Sequence, residues 1–182
     1  SIGSELVRQC LKYDPAVMVM LDLSEYNLFE MDREIMALDS SVLFKPVLCD
    51  IRDKDVLAQV FNEFKPQVVL HAAAYKHVPM QETFPWEAVK TNVLGTTNLT
   101  QIALQHMVEK FVLVSTDKAV KPVNVMGATK RLAELIVQSA NNSSTEFMAV
   151  RFGNVLGSSG SVIPIFQEQI RNGGPVTVTD PD

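Results

Sequence analysis

Apolar residues along the chain keep two rhythms, one of helical period and one of unbroken runs. From Ser4 to Tyr13, Leu6, Val7, Cys10 and Leu11 fall on one face at helical spacing, and Asp14-Pro15 ends the pattern, so this segment is predicted helical. Val17-Met18-Val19-Met20-Leu21 is a continuous apolar run closed by Asp22, the pattern of a strand buried on both faces of a parallel sheet. Val47-Leu48-Cys49, closed by Asp50, is a second such strand. Helical spacing returns at Val56, Leu57, Val60, Phe61 and Phe64, predicting a helix from Asp53 to Phe64 that Lys65-Pro66 closes before the strand Val68-Val69-Leu70. A long helix from Trp86 to His106, a strand from Lys110 to Val114, a helix from Met126 to Ala140 and a strand from Phe147 to Arg151 continue the alternation. This order predicts an α/β fold: a Rossmann-like, doubly wound parallel sheet in a three-layer αβα sandwich, joined by right-handed crossovers.

No repeat, low-complexity stretch or Pro/Gly/Ser-rich linker divides the 182 residues, so one domain is the economical reading. A net charge of -5 argues against a general attraction to nucleic acid or anionic lipid, and makes a local basic pocket for a diphosphate the feature to look for. Cys10 and Cys49 sit in apolar runs without C-x-x-C spacing and read as buried, reduced thiols; with His71, His77 and His106 they form no metal-ligand pattern, so no metal is predicted. No apolar run approaches the roughly 20 residues that span a bilayer and no signal peptide precedes the first helix, so this part reads as soluble and cytoplasmic. Both ends look cut. The chain is expected to open inside a motif whose first strand precedes Ser1, and to stop at Thr179-Asp180-Pro181-Asp182 before a closing element. A membrane region outside the chain would place it at the cytoplasmic face of a bacterial inner membrane.

An open parallel sheet binds ligands beyond the carboxyl ends of its strands, and the chemistry-bearing residues fall there in series. Ser1-Ile2-Gly3 leads into the first helix like the tail of a glycine-rich dinucleotide loop, which would aim amides and the positive end of the helix at a pyrophosphate. Asp22 stands where a carboxylate accepts hydrogen bonds from an adenosine ribose, and an acid there repels a 2'-phosphate, favouring NAD with NADP as the alternative. Asp50 is placed for an adenine edge, though an aspartate after a strand also serves as a cap or turn, and Ala72-Ala73-Ala74 lets backbone approach a cofactor closely. Ser115-Thr116-Asp117-Lys118 puts hydroxyls, an acid and an amine after a central strand. Met126 and Lys130 share one helix face at i,i+4, from which Lys130 would reach a cofactor ribose. Gly157-Ser158-Ser159-Gly160-Ser161 is either a ligand loop or a surface loop, and Arg151 either a ligand contact or a strand-end ion pair.

Four segments carry a resemblance: Ala73-Ala74-Tyr75-Lys76-His77-Val78-Pro79, Lys90-Thr91-Asn92-Val93-Leu94-Gly95-Thr96, the run from Ser115 to Arg131, and Arg151-Phe152-Gly153-Asn154-Val155-Leu156-Gly157-Ser158. Over essentially the whole chain the sequence resembles the extended short-chain dehydrogenase/reductase superfamily. More narrowly it is similar to the bacterial nucleotide-sugar 4,6-dehydratases of surface polysaccharide biosynthesis, typified by UDP-N-acetylglucosamine 4,6-dehydratase. The superfamily's catalytic tyrosine is replaced by Met126, whose thioether exchanges no proton, and one subgroup of these dehydratases carries methionine there.

The resemblance implies a nucleotide-binding domain over residues 1–152, the start of a substrate-binding region at 153–182, a UDP-N-acetylhexosamine substrate, bound NAD and a homo-oligomer. It gives Lys118 the C5 proton, Asp117 the departing C6 hydroxyl and Thr116 the C4 oxygen, with Met126 and Lys130 completing the catalytic set. Cofactor contacts fall to Ser1, Ile2, Gly3, Asp22, Asp50, Ile51, Ala72, Ala73, Ala74, Asn92, Ser115 and Lys130, with Asn92 positioning the lysine through a water. Substrate contacts fall to Lys76, Thr116, Asn154, Gly157, Ser158 and Val162. A 4-epimerase would share fold, cofactor and substrate class but normally keeps the tyrosine, and a non-catalytic NAD-binding protein is the remaining rival.

Overall fold

The computed structural model describes residues 1–38, 41–141, 144–153, 155 and 162–177. Its elements run α1 (Ile2–Leu11), β1 (Val17–Asp22), α2 (Glu25–Met36), β2 (Leu43–Leu48), α3 (Lys54–Phe64), β3 (Val68–His71), α4 (Val78–Thr83) and α5 (Pro85–Ala88). A π-helical segment (Val89–Gly95), α6 (Thr96–Gln105), β4 (Lys110–Thr116), a tight 3-10 turn (Asp117–Ala119), α7 (Val125–Ser139), β5 (Glu146–Phe152) and α8 (Val162–Arg171) follow. Side-chain caps start the helices where the sequence offers them: Ser1 accepts from Ser4 N, Asp53 from Val56 N and Asn124 from Gly127 N at 2.7 Å. Lys65 ends α3 in the left-handed region with φ 43, and Pro66 follows.

All strand pairs are parallel, as the alternation predicts. β1 pairs with β2, and β4 lies between β3 and β5, with Ser115 opposite Arg151 and Thr116 opposite Phe152 at the carboxyl end. One core of fully or nearly fully buried side chains joins them: Phe111 and Leu113 of β4, Phe147 of β5, Leu57 and Phe61 of α3, Ile102 and Ala103 of α6, Val137 of α7. Leu21 of β1 and Val47 of β2 pack against the same core, while Met20 and Phe44 on the opposite face meet Leu28, Met31 and Ile35 of α2 with Val7 and Leu11 of α1. Alternation along β1 and β2 thus serves two helical layers.

Several elements depart from the sequence expectations. α2 lies where the hydrophobic pattern yields no element, held by a short stripe of Leu28, Met31 and Ile35 behind a Ser24 cap. β2 begins at Leu43 rather than Val47, because Lys45-Pro46 interrupts its apolar run; Pro46 is tolerated since β2 is an outer strand. The helix expected from Trp86 to His106 is α5, the π segment and α6 in one run, the widened turn falling around Asn92.

Candidate active site

The turn after β4 forms the centre of the site. Ser115 is buried and donates from Oγ to Glu134 Oε1 at 2.6 Å, so it faces inward, while Thr116, Asp117 and Lys118 emerge at the sheet edge. One carboxylate oxygen, Asp117 Oδ1, accepts from Thr116 Oγ1 at 2.8 Å, Lys118 N at 2.8 Å and Lys118 Nζ at 3.2 Å. These bonds, that of Thr116 foremost, hold the Asp117 carboxyl below the ordinary carboxylate range. α7 closes on this turn through Gly127, where an added Cβ would lie 2.5 Å from Lys118 O. Glu82 of α4 reaches over to accept from Val125 N at 2.7 Å, fastening the segment after β3 to the first turn of α7.

Met126 and Lys130 are both buried on the inner face of α7. Lys130 Nζ donates to Val114 O at 2.7 Å, and burial pulls its pKa down to about 8 against the raising effect of Glu134. Asn92, also buried, accepts from Tyr75 N at 2.8 Å through Oδ1 and donates from Nδ2 to Tyr75 O and Thr129 Oγ1, both at 3.0 Å. Its amide therefore clamps the loop after β3 to α7, directly beside Lys130 in sequence rather than on the lysine itself. Six residues along, Asn98 Nδ2 donates to Ile51 O and Arg52 O, so a single helical run holds the loops after both β2 and β3.

The other sequence-derived positions line the same strand ends. Ser1 caps α1, with Ile2 and Gly3 in its first turn, and beyond Gly3 only Ser1 Oγ, at 3.8 Å, would meet an added Cβ. Asp22 ends β1, where Oδ1 accepts from Ser24 N at 2.8 Å and Oδ2 from Asn27 Nδ2 at 3.4 Å. Asp50 makes the turn its alternative reading foresaw, accepting from Arg52 N at 2.9 Å and pairing with the Arg52 guanidinium, which also meets Glu87 at 2.9 Å. Ile51 is buried against the π segment at Gly95. Ala72, Ala73 and Ala74 follow β3, and Lys76 is exposed beyond them. Arg151 takes the ion-pair role, with Nη2 2.6 Å from Glu134 Oε2. Asn154, Gly157 and Ser158 lie outside the described residues, as does the side chain of Val162, whose backbone opens α8.

Sequence reasoning missed Glu134, Glu82 and His71. His71 is buried beneath the loop it precedes, its Nε2 2.9 Å from Thr96 Oγ1. Thr96 Oγ1 spends its proton on Asn92 O at 2.7 Å, so the imidazole Nε2 must donate. Burial lowers His71 to about 3 and keeps it neutral. Glu134 had a readable sign in its i,i+4 offset from Lys130; His71 had none.

Residues 1–182 match the family described as polysaccharide biosynthesis protein. The chain belongs to that family. The similarity to the capsular polysaccharide biosynthesis protein CapD of Staphylococcus aureus is 52% identity over 100% of this chain and 31% of that protein. A Campylobacter jejuni UDP-N-acetylglucosamine 4,6-dehydratase (inverting) is 37% identical over 98% of this chain and 54% of its own length. A Rickettsia massiliae UDP-glucose 4-epimerase is 36% identical over 100% and 54%. The chain thus spans between 31% and 54% of these curated relatives. Among solved structures, Pen from Bacillus thuringiensis superposes with a TM-score of 0.89 at 38% identity, covering 98% of this chain and 55% of that one. The Streptomyces venezuelae dTDP-glucose 4,6-dehydratase DesIV, solved with NAD, superposes at 0.79 with 26% identity, covering 96% and 60%. The fold of this family member is therefore the Rossmann fold of the nucleotide-sugar epimerases and dehydratases.

Proposed function

We propose that this chain is the nucleotide-binding part of an NAD-dependent 4,6-dehydratase that converts a UDP-N-acetylhexosamine, UDP-N-acetylglucosamine first among them, to its 4-keto-6-deoxy sugar. The observation that carries the reading is the pairing of a protonless Met126 at the start of α7 with a hydroxyl, carboxylate and amine joined at Asp117 Oδ1. The relative named as a UDP-N-acetylglucosamine 4,6-dehydratase supports it. Residues 1–152 are the nucleotide-binding domain and 153–182 begin the substrate-binding region.

The strand ends fit a dinucleotide by their chemistry: the capped, open first turn of α1, a carboxylate on β1 that accepts from neutral donors among the described residues, and three alanines after β3. NAD supplies the hydride acceptor at C4 and the donor at C6. Asp117 begins ionised, and its 2.8 Å bond from Thr116 lets the C4 hydroxyl proton pass through the threonine hydroxyl to the carboxylate. So loaded, Asp117 protonates the departing C6 hydroxyl, while the Lys118 amine takes the C5 proton and later returns it. The sugar loses one proton and one hydroxide overall, which leave as water. Asn92 and Asn98 keep the loops around the reacting groups in place.

The experiment is incubation of the complete protein with UDP-N-acetylglucosamine, read by mass spectrometry and NMR. Loss of one water with a C4 ketone is expected. A product of unchanged mass epimerised at C4 would favour the second reading, which the Rickettsia relative named as an epimerase supports. Lys118→Ala is expected to abolish solvent-deuterium incorporation at C5, and exchange at the wild-type rate would remove Lys118 from that role.

A further inference from the structure

Glu134 lies on α7 one turn beyond Lys130 and is only 1% exposed. A carboxylate so deep is costly unless fully paired, and this one accepts four hydrogen bonds. Oε1 takes Ser115 Oγ at 2.6 Å and Arg151 Nε at 2.8 Å; Oε2 takes Arg151 Nη2 at 2.6 Å and Arg131 Nη1 at 3.0 Å. Burial pushes its carboxyl up, but the bonds from Arg151, Ser115 and Arg131 outweigh that and hold it down at about 2. Ser115 and Arg151 are partners in the β4–β5 register, so the carboxylate bridges both strands at their next-to-last pair and ties them to α7.

The residue after Ser115 is Thr116, and the turn that follows carries every proton transfer assigned above. Ser115 has one hydroxyl proton and gives it to Glu134, which leaves its side chain as an anchor for the strand end. We infer that Glu134 is a positioning residue: through Ser115 it fixes how Thr116, Asp117 and Lys118 stand against α7. Arg151, bonded to both oxygens, neutralises it and holds it in place, and Arg131 adds one further bond at Oε2. The inference rests on the proposed dehydratase reading, since it assigns Glu134 to the same turn.

The test uses the complete, NAD-loaded protein and UDP-N-acetylglucosamine, comparing Glu134→Gln, Ser115→Ala, their double variant and Arg131→Ala for kcat, KM, NAD content and Tm. A displacement of about 1 Å at reacting groups costs up to about 100-fold in rate. Glu134→Gln and Ser115→Ala are therefore expected to lower kcat by about 10- to 100-fold with KM within about threefold and NAD content unchanged. The double variant should lose no more than the worse single one, because both cut the same link. Arg131→Ala removes a pair on the far oxygen and should lower Tm while keeping kcat within about twofold. If kcat simply follows Tm across the set, or Ser115→Ala retains wild-type kcat, the inference is overturned. Should Glu134→Gln fail to fold, Ser115→Ala against Arg131→Ala decides the matter alone. A wild-type protein without product overturns the dehydratase reading and this inference together; an active one with wild-type-like variants overturns the inference only.

Discussion

Lys130 is the proton-carrying group on the face of α7 that it shares with Met126, and its burial has a consequence for stability. The residue is 6% exposed, and its amine is bonded to Val114 O, near His71 on β3 and Glu134 on its own helix, and held at about 8 against an ordinary 10.5. Below about pH 8 the amine is charged in both states, and the folded protein bears the cost of burying it. Between about 8 and 10.5 the unfolded chain still binds a proton that the folded one has released, so stability rises with pH across that window. The shift corresponds to about 3 kcal/mol as an upper limit. Lys130→Met is expected to be more stable than wild type at pH 7, with the margin shrinking toward pH 10.5. Urea midpoints at both pH values check this, and a margin independent of pH would rule out the buried amine as its source. The placement of residues set by chain neighbours, Ser115 to Lys118 at the end of β4 and Met126 with Lys130 on one face of α7, was legible in the sequence. His71 was not, because its partner Thr96 lies 25 residues away and meets it only through packing.

Elements seat these residues by close backbone approach, and two glycines mark where. At Gly127 an added Cβ would lie 2.5 Å from Lys118 O, a backbone atom that can yield only if the turn or α7 moves. At Gly95 it would lie 2.6 Å from Ile51 Cδ1, the far end of a flexible side chain. Gly127→Ala is therefore expected to lower kcat by about 10- to 100-fold. Gly95→Ala should leave kcat within about threefold and weaken NAD binding instead, since Ile51 sits in the loop after β2. Steady-state kinetics beside NAD titration separates the two; equal loss of kcat in both would mean that the clash at Gly127 has no special hold on the turn. The strong periodic helices and the apolar central strands could be read from pattern. α2 could not, because its buried stripe amounts to Leu28, Met31 and Ile35 among charged neighbours. The π segment could not either, since a widened turn leaves the apolar spacing almost unchanged.

At the scale of the molecule, a chain of net charge -5 would gather the proposed polyanionic ligands through local arrangement, not through its overall field. The cationic groups stand where the strands end: Arg52 after β2, Lys76 after β3, Lys118 after β4 and Arg151 at the end of β5. Arg52, Lys118 and Arg151 are paired with Asp50, Asp117 and Glu134. Among the described residues, the carboxylate ending β1 accepts from Ser24 N and Asn27 Nδ2, both neutral donors. A ribose hydroxyl can donate to such an anion, whereas a 2'-phosphate meets a like charge. NAD is therefore expected to bind more tightly than NADP by about 10- to 100-fold, equivalent to about 1.4 to 2.7 kcal/mol. Asp22→Ser removes the charge and should shrink that ratio to within a few fold, mainly by strengthening NADP. The same change takes a hydrogen-bond acceptor from the start of α2 and will cost some stability, so the measured quantity is the ratio of the two dissociation constants in one variant. A ratio unmoved by Asp22→Ser would mean that the end of β1 does not face the adenosine ribose, and the sequence-derived order of ligand contacts along the sheet would have to be redrawn from that strand onward.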